Sequence, residues 1–462
     1  MMRVRDVLDS TGAVLLRGDA ERWVHGVSTD TRALRPHQLF LALSGPNFDG
    51  NAFAEHASRL GAGALLLRGR PGSSLPHIPG DIPLVVHAEP RRALSDIATW
   101  HRRTLEIPVV GITGSCGKTT TKNILAQLLS TRMRTVASPN SFNNDIGVPH
   151  TLLLADATTQ ALVLEIGTNA SGEIAQLCRV AEPTGGIVTM IGASHLEGLG
   201  SIEGVAREKS ALLASLPSSG FAVINVDSRH ADLLRAATRA RVITVSVEGE
   251  GELNATQPLF HAGGTTFKLL GHEVTSPLLG VHNISNLLCA LAACRGMGID
   301  CIELLPAISQ LKGGSRRMER HEVGHVVLFD DTYNANPESA RAAVRFLAGL
   351  HGKGRRVLVL GDMLELGANA PELHHAVGRD AASAGIDLLV LVGELVRATA
   401  AGALEAGMNA NRVVHLENAD SATNEMGALL RQGDTVLLKA SRRVGLDRVV
   451  DHLRARAHQA RV

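Results

Sequence analysis

Aromatic residues are scarce in this chain of 462 residues: 3% of positions, with one Tyr, two Trp and nine Phe. Stacking platforms for bases, the usual device of single-strand nucleic-acid binders, must therefore be few. An excess of charge is missing too, since 46 Lys+Arg against 45 Asp+Glu leave +1. Binding to nucleic acid or to a membrane surface needs a basic surplus, so neither is an expected partner. The five cysteines (Cys116, Cys178, Cys289, Cys294, Cys301) contain no CxxC pair. They offer no zinc motif and read as thiols of a reducing compartment. No stretch of about 18 apolar residues occurs, so no membrane insertion is expected. The opening segment, MMRVRDVLDS, lacks an apolar core of signal-peptide length. The expected location is the cytoplasm.

What is present is an ordinary globular composition, 45% hydrophobic and 20% charged, ample for packed cores. At about 150 residues per domain the length predicts three domains. Residues 1–105 combine short strands, as in GVSTDTRALRPHQLFLALSG, with helix-like runs, and predict a small α/β domain. From 106 to 314, apolar runs at 107–112, 161–166, 186–191 and 221–226 alternate with helical stretches. That alternation predicts a mostly parallel sheet with helices on both faces. Residues 250–280 read as an antiparallel appendage, followed by a helix near 283–297. After the Gly/Arg-rich hinge LKGGSRRMER (311–320), strands at 326–330, 356–361, 388–393 and 435–440 predict a Rossmann-like α/β domain over 315–462. No GxGxxG accompanies it, so the label describes architecture and not a cofactor.

The most specific local signal is IPVVGI running into TGSCGKTTTK (113–122). A glycine loop between a strand and a helix turns backbone N–H groups toward one point, where the helix dipole adds positive charge. The strict Walker spacing fails, because Ile112 stands six before Lys118; the shorter GxxGKT remains, with Gly114 and Gly117. Thr113, Gly114, Ser115, Cys116, Gly117, Lys118, Thr119 and Thr120 are the predicted phosphate cradle. Within it Lys118 reaches the outer phosphates and the Thr119 hydroxyl suits Mg²⁺. The plain alternative is a glycine turn with a surface lysine. Glu165 ends the next strand, where a carboxylate meets the ligand edge of an α/β sheet and suits a hard cation. His195 follows the strand after that.

TGSCGKTTTK, Glu165, GASHLEGLGSIEGVAREKSALL (192–213), GVHNISNLLCALA (280–292), SRRME and DDTYNANPES (330–339) occur in this order. Together with STDTR (28–32), LFLALSG (39–45), DGNAF (49–53), GDMLELG (361–367) and LLKASRR (437–443), they make the chain resemble the ATP-dependent Mur ligases of peptidoglycan synthesis. DDTYNANP, and the absence of Asp-Asn-Pro-Arg, point to the branch that adds D-Ala-D-Ala to UDP-N-acetylmuramoyl-tripeptide. The resemblance implies a uridine-nucleotide domain, an ATP domain and a closing domain carrying the amine substrate, in a monomer that uses ATP and Mg²⁺.

Residue by residue, the resemblance implies that Lys118, His195 and Lys209 carry the chemistry. Thr119, Glu165, His195 and Lys209 would hold metal, Lys209 after carbamylation, although by composition alone it reads as a helical surface lysine. Asn283 and Asn286 would face adenine, with helix capping by Asn283 as a compatible reading. Arg317 and Asp331 would meet phosphate and ribose. Ser28, Asp30 and Arg32 would touch the UDP moiety; Asn143, Asn144, Asn334 and Asn336 would touch substrate. Cys116 stands where an asparagine or a small polar residue is more usual in the family; its backbone N–H would still point inward, so activity is expected, together with oxidation sensitivity. LLKASRR departs from a more usual KGSR at Lys439 and Arg442. Two other readings stay open: a sibling ligase with a different amino acid or biosynthetic substrate, and a nucleotide-gated binding protein without chemistry.

Overall fold

Alternating apolar side chains on short parallel strands need cover on both faces, and helices supply it. The computed structural model describes residues 1–261, 263–350 and 354–459. Its chain packs as two units: 1–111, 133–167 and 174–184 in one, 112–132, 168–173 and 185–462 in the other.

In the first unit a five-stranded sheet runs in the order Val14–Arg17, Leu84–His87, Ala64–Arg68, Leu39–Leu41, Val27–Ser28. Only Val14–Arg17 is antiparallel to its neighbour. Leu39, Leu41, Leu66 and Val85 turn to one face, under Leu94 and Ile97 of helix Pro90–Arg103. Phe40, Leu65 and Leu67 turn to the other, beside Ala54 and Ala57. This is the small α/β domain expected of the first hundred residues. The same unit holds Thr135–Ala137 paired in parallel with Ala161–Glu165, and the opening residues of Val109–Thr113, next to Ala161–Glu165 in strand order.

In the second unit, the end of Val109–Thr113 neighbours Gly185–Val188. Gly185–Val188, Phe221–Asn225 and Arg241–Ser246 continue as parallel strands. Leu253–His261, Gly264–Leu269 and His272–Ser276 form the antiparallel extension expected at 250–280. Helix Val281–Gly296 packs against the phosphate-loop helix, Lys118–Ser130. Its N-cap is Gly280, so Asn283 lies inside the helix and does not cap it.

Residues 319–439 build a further sheet in the order Glu319–Val323, Val326–Asp331, Thr435–Lys439, Arg356–Gly361, Leu388–Val392, Val413–Leu416, parallel except for the first hairpin. Period-two alternation sorts its core. Leu358, Leu360, Leu389 and Leu391 face helices Pro337–Gly349 and Ala370–Ser383. Val357, Val359, Val390 and Val436 face the opposite helices, with Val449 and Val450.

One buried histidine in this layer should make the fold acid-sensitive. The His374 side chain is fully buried; Nδ1 lies 2.7 Å from the Ala370 carbonyl, and Nε2 accepts the Met363 N–H at 3.0 Å. Both nitrogens are used only in the neutral ring, and burial pushes the pKa below its usual value while the Ala370 bond opposes. A base with a depressed folded pKa binds its proton first in the unfolded chain. Its stabilisation is therefore whole above about pH 6.5 and is lost as pH falls below that. Thermal melts from pH 7 to 4.5 should show a falling unfolding temperature, with a shallower fall in His374→Gln. Parallel profiles for the two proteins would show that His374 is not the cause.

Candidate functional site

The strand Val109–Thr113 is buried along its whole length and delivers the chain to Gly114. Gly114 (φ 152°) and Gly117 (φ 84°) adopt backbone angles that side-chain-bearing residues disfavour, and a Cβ on Gly117 would overlap the Asn286 amide. Ser115 is clamped: its hydroxyl donates to the Gly192 carbonyl at 2.9 Å and accepts from Ser194 Oγ at 2.9 Å. Its N–H donates to the Met190 carbonyl, so Ser115 N–H serves the loop and not a ligand. The cradle therefore falls to the helix start, where Thr121 N–H bonds Gly117 and the first N–H groups of a helix lack intrahelical partners. Lys118 Nζ donates to the Gly114 carbonyl at 2.6 Å. Ile124, Leu125, Leu128 and Leu129 are buried, as the helical spacing predicts.

Around this loop the second unit gathers most of the predicted residues. Lys209 is wholly buried in helix Ile202–Ala214, and its Nζ has no hydrogen-bond partner. The reading of a surface lysine is thereby corrected: the helix turns this position inward. Burial first, then Lys118, drives its pKa well below the ordinary lysine value. His195 sits just before helix Leu196–Leu199, with Nδ1 2.8 Å from Glu365 Oε2. Burial, then Lys118 and Lys209, bring its pKa down to about 4. These shifts place Lys118, His195 and Lys209 within one electrostatic neighbourhood.

Arg317 donates to Thr119 Oγ1 at 2.9 Å, and its guanidinium lies 3.9 Å from the ring centroid of Tyr333. The single tyrosine of the chain thus orients the hinge arginine, a cation–π contact that strengthens when desolvated. Arg442 approaches the same ring at 5.3 Å. Asp331 is held by Lys439 at 2.7 Å, and Lys439 also donates to the carbonyl of Asn334, whose side chain is exposed. LLKASRR thus keeps both basic residues at work in this corner. Asn336 caps helix Pro337–Gly349 and donates to the Ser115 carbonyl at 3.1 Å. Glu338 accepts the Ala193 N–H at 2.8 Å. Asn283 Nδ2 donates to the Leu279 carbonyl, and Asn286 bridges Asn283 to the Thr121 hydroxyl. A cavity of about 470 Å³ is lined by Asn283, Arg317, Met318 and the hinge glycines Gly313 and Gly314. The Cys116 thiol is pushed up to about 12, mainly by burial. A raised pKa disfavours the thiolate, the reactive form, although the residue is only half-buried.

The first unit contains the other predicted residues. Glu165 closes its strand nearly inaccessible to solvent, and Asn143 Nδ2 donates to its Oε1 at 2.9 Å. Asn144 accepts the N–H groups of Ile146 and Gly147, starting helix Gly147–Leu152. Ser28 is buried and donates to the Asp30 carbonyl, while Asp30 and Arg32 form an exposed ion pair at 2.7 Å. Sequence reasoning did not single out Glu365, Tyr333, Glu338 or Thr189, whose hydroxyl donates to the Cys116 carbonyl. The first three lie in or beside quoted motifs, but only their contacts assign them a task.

Sequence profiles of the Mur ligase family match this chain in three stretches: the catalytic domain over 23–99, the middle domain over 112–294 and the glutamate ligase domain over 316–442. The chain is 34% identical to the UDP-N-acetylmuramoyl-tripeptide–D-alanyl-D-alanine ligase of Bacillus subtilis, covering 97% of this chain and 98% of that one. To the ligase of the same name from Escherichia coli it is 35% identical, over 93% and 94% of the two chains. The crystal structure of MurF from Acinetobacter baumannii superposes with a TM-score of 0.87 at 27% identity, covering 98% of each chain. A Thermotoga maritima MurF ligase in complex with ADP shares the fold, with a TM-score of 0.81 at 24% identity over 95% and 99% of the two chains. The three matched stretches, the phosphate loop and the sheets around it agree: the chain belongs to the Mur ligase family and has its three-domain architecture.

Proposed function

We propose that this chain is an ATP-dependent ligase that joins D-Ala-D-Ala to UDP-N-acetylmuramoyl-tripeptide, the last cytoplasmic step in building the peptidoglycan pentapeptide precursor. The observation that carries this reading is 34% identity, over nearly the full length of both chains, to a ligase of that name. The working unit is a cytoplasmic monomer; among the described residues no helix is long and apolar enough to cross a membrane. Residues 1–105 bind the uridine nucleotide through Ser28, Asp30 and Arg32, residues 106–314 bind ATP, and residues 315–462 close over the site with the amine substrate.

The acceptor's terminal carboxylate attacks the γ-phosphorus of ATP, and ADP leaves. The neutral amine of D-Ala-D-Ala adds to the acyl phosphate, and the tetrahedral adduct expels phosphate while nitrogen gives up a proton. Every step moves anionic oxygens past one another, so Lys118 and the N–H groups opening its helix offset the repulsion. Arg317, steadied on Tyr333, adds a second cation beside Thr119. Asn283 lines the cavity proposed for adenosine; Asn286 stiffens the loop behind it. Asn143, Asn144, Asn334 and Asn336 serve the substrate side. Closure excludes water, which would otherwise hydrolyse the acyl phosphate.

The residues suit Mg²⁺ once Lys209 is considered. A buried amine without a partner gains one by taking up CO₂: R–NH₂ + CO₂ gives R–NH–COO⁻ and H⁺. The resulting carboxylate supplies a hard oxygen ligand beside Lys118. Thr119, Glu165, His195 and carbamylated Lys209 would hold the ion, which when bound neutralises charge on the transferring phosphoryl group. The decisive assay is phosphate release from ATP. It should require UDP-N-acetylmuramoyl-tripeptide and D-Ala-D-Ala together; turnover with another amino acid in place of the dipeptide would reassign the enzyme to a sibling activity.

A further inference from the structure

The loop that carries His195 receives three contacts from the stretch matched by the third family profile. Glu338 Oε1 accepts the Ala193 N–H at 2.8 Å. Glu365 Oε2 meets His195 Nδ1 at 2.8 Å. The backbone at Gly367 lies against Glu197, so that a Cβ on Gly367 would meet Glu197 Cα at 3.6 Å. Both partners of the central contact have left-handed backbones, His195 at φ 52° and Glu365 at φ 65°. Non-glycine residues reach that region at a cost, and such strain persists where surrounding structure holds it. Between these two positions a carboxylate oxygen meets an imidazole nitrogen across 170 residues of sequence. The Glu365 loop has its own anchor, since His374 accepts the N–H of Met363.

We infer that Glu365 is a positioning residue for His195, holding its imidazole with the proton on Nδ1 and so offering Nε2 to the metal ion. The inference rests on the proposed role of His195 at Mg²⁺. A ring nitrogen binds a metal only through its lone pair, and a carboxylate on the other nitrogen fixes both tautomer and ring orientation. Glu365 and His195 belong to different profile-matched stretches, so the metal position is complete only when the third stretch rests on the second. Closure of the ligase and readiness of its metal site are thereby one event. Glu338 supports the same loop through its backbone and does not select the tautomer.

The test uses the full chain with Mn²⁺ as the probe, titrated by electron paramagnetic resonance in the presence of a non-hydrolysable ATP analogue. Glu365→Ala should weaken Mn²⁺ binding by about 10- to 100-fold, the usual cost of losing such an outer partner. Glu365→Gln, whose amide oxygen still accepts the Nδ1 proton, should recover much of the loss. Nitrogen NMR of the imidazole should show the Nδ1–H tautomer in the wild type and a mixture in Glu365→Ala. His195→Ala separates the two readings. If it weakens Mn²⁺ binding while Glu365→Ala stays within twofold of wild type, the positioning role is overturned and the metal role stands. If His195→Ala itself leaves Mn²⁺ binding unchanged, both fall. An Nε2–H tautomer in the wild type would also overturn the inference.

Discussion

Lys118→Ala should lower ATP-dependent phosphate release by about 10³-fold or more, with the unfolding temperature nearly unchanged. The loss corresponds to about 4 kcal/mol of transition-state stabilisation, the scale of a preorganised charge acting where water is excluded. The fold should tolerate the change. Lys118 is half-buried at the first position of its helix, and the loop is held independently by Ser115, Gly192, Ser194 and Thr189. Alanine is also a strong helix former. Activity within tenfold of wild type, in protein of native melting temperature, would remove Lys118 from its assigned role. A uniform loss of ATP affinity with unchanged kcat would assign it to ground-state binding instead.

The second large effect concerns Lys209. Its amine is wholly buried, lacks a hydrogen-bond partner and lies near Lys118. Such an ammonium is expensive to keep, which favours the neutral amine, the form that attacks CO₂. Depleting CO₂ and bicarbonate should lower activity reversibly. Lys209→Ala should lower it by at least about 10²-fold, the scale of one lost preorganised electrostatic group. Short carboxylates such as formate or acetate should restore part of it by standing in the vacated volume. Lys209→Met keeps most of the side-chain bulk and guards against simple unfolding; it should be at least as stable as wild type and equally inactive. Full activity in CO₂-free buffer, or no rescue of a folded Lys209→Ala by any short carboxylate, would refute carbamylation.

The two expectations differ in how visible they were. Lys118 announces itself, because a glycine loop between an apolar strand and a helix is a local pattern spanning a dozen residues. Lys209 does not. Its position falls four residues after Val205 and three before Leu212, on the helix's inward face, but a lysine reads by residue type as solvated and so masks that spacing. Only the ordered series of motifs pointed to it. The amides of Asn286 and Asn336 are a third kind of case. Their positions were picked out, yet one braces Thr121 and the other reaches Ser115, 221 residues away, while capping its own helix.

The order of the motifs, by resemblance, pointed to the family, while composition and local periodicity determined the α/β class, the alternation of strands and helices and the phosphate loop. These follow from which faces must be apolar and which backbone angles need glycine, properties of neighbouring residues. Tertiary structure decided the rest. It buried Lys209, set the only tyrosine under Arg317, raised the pKa of the Cys116 thiol and paired Glu365 with His195. Each depends on groups distant in sequence meeting in a medium of low polarity, where desolvation and orientation outweigh intrinsic side-chain chemistry. The near absence of aromatic residues also acquired a meaning there: Tyr333 stacks on the hinge arginine that contacts the phosphate-loop helix.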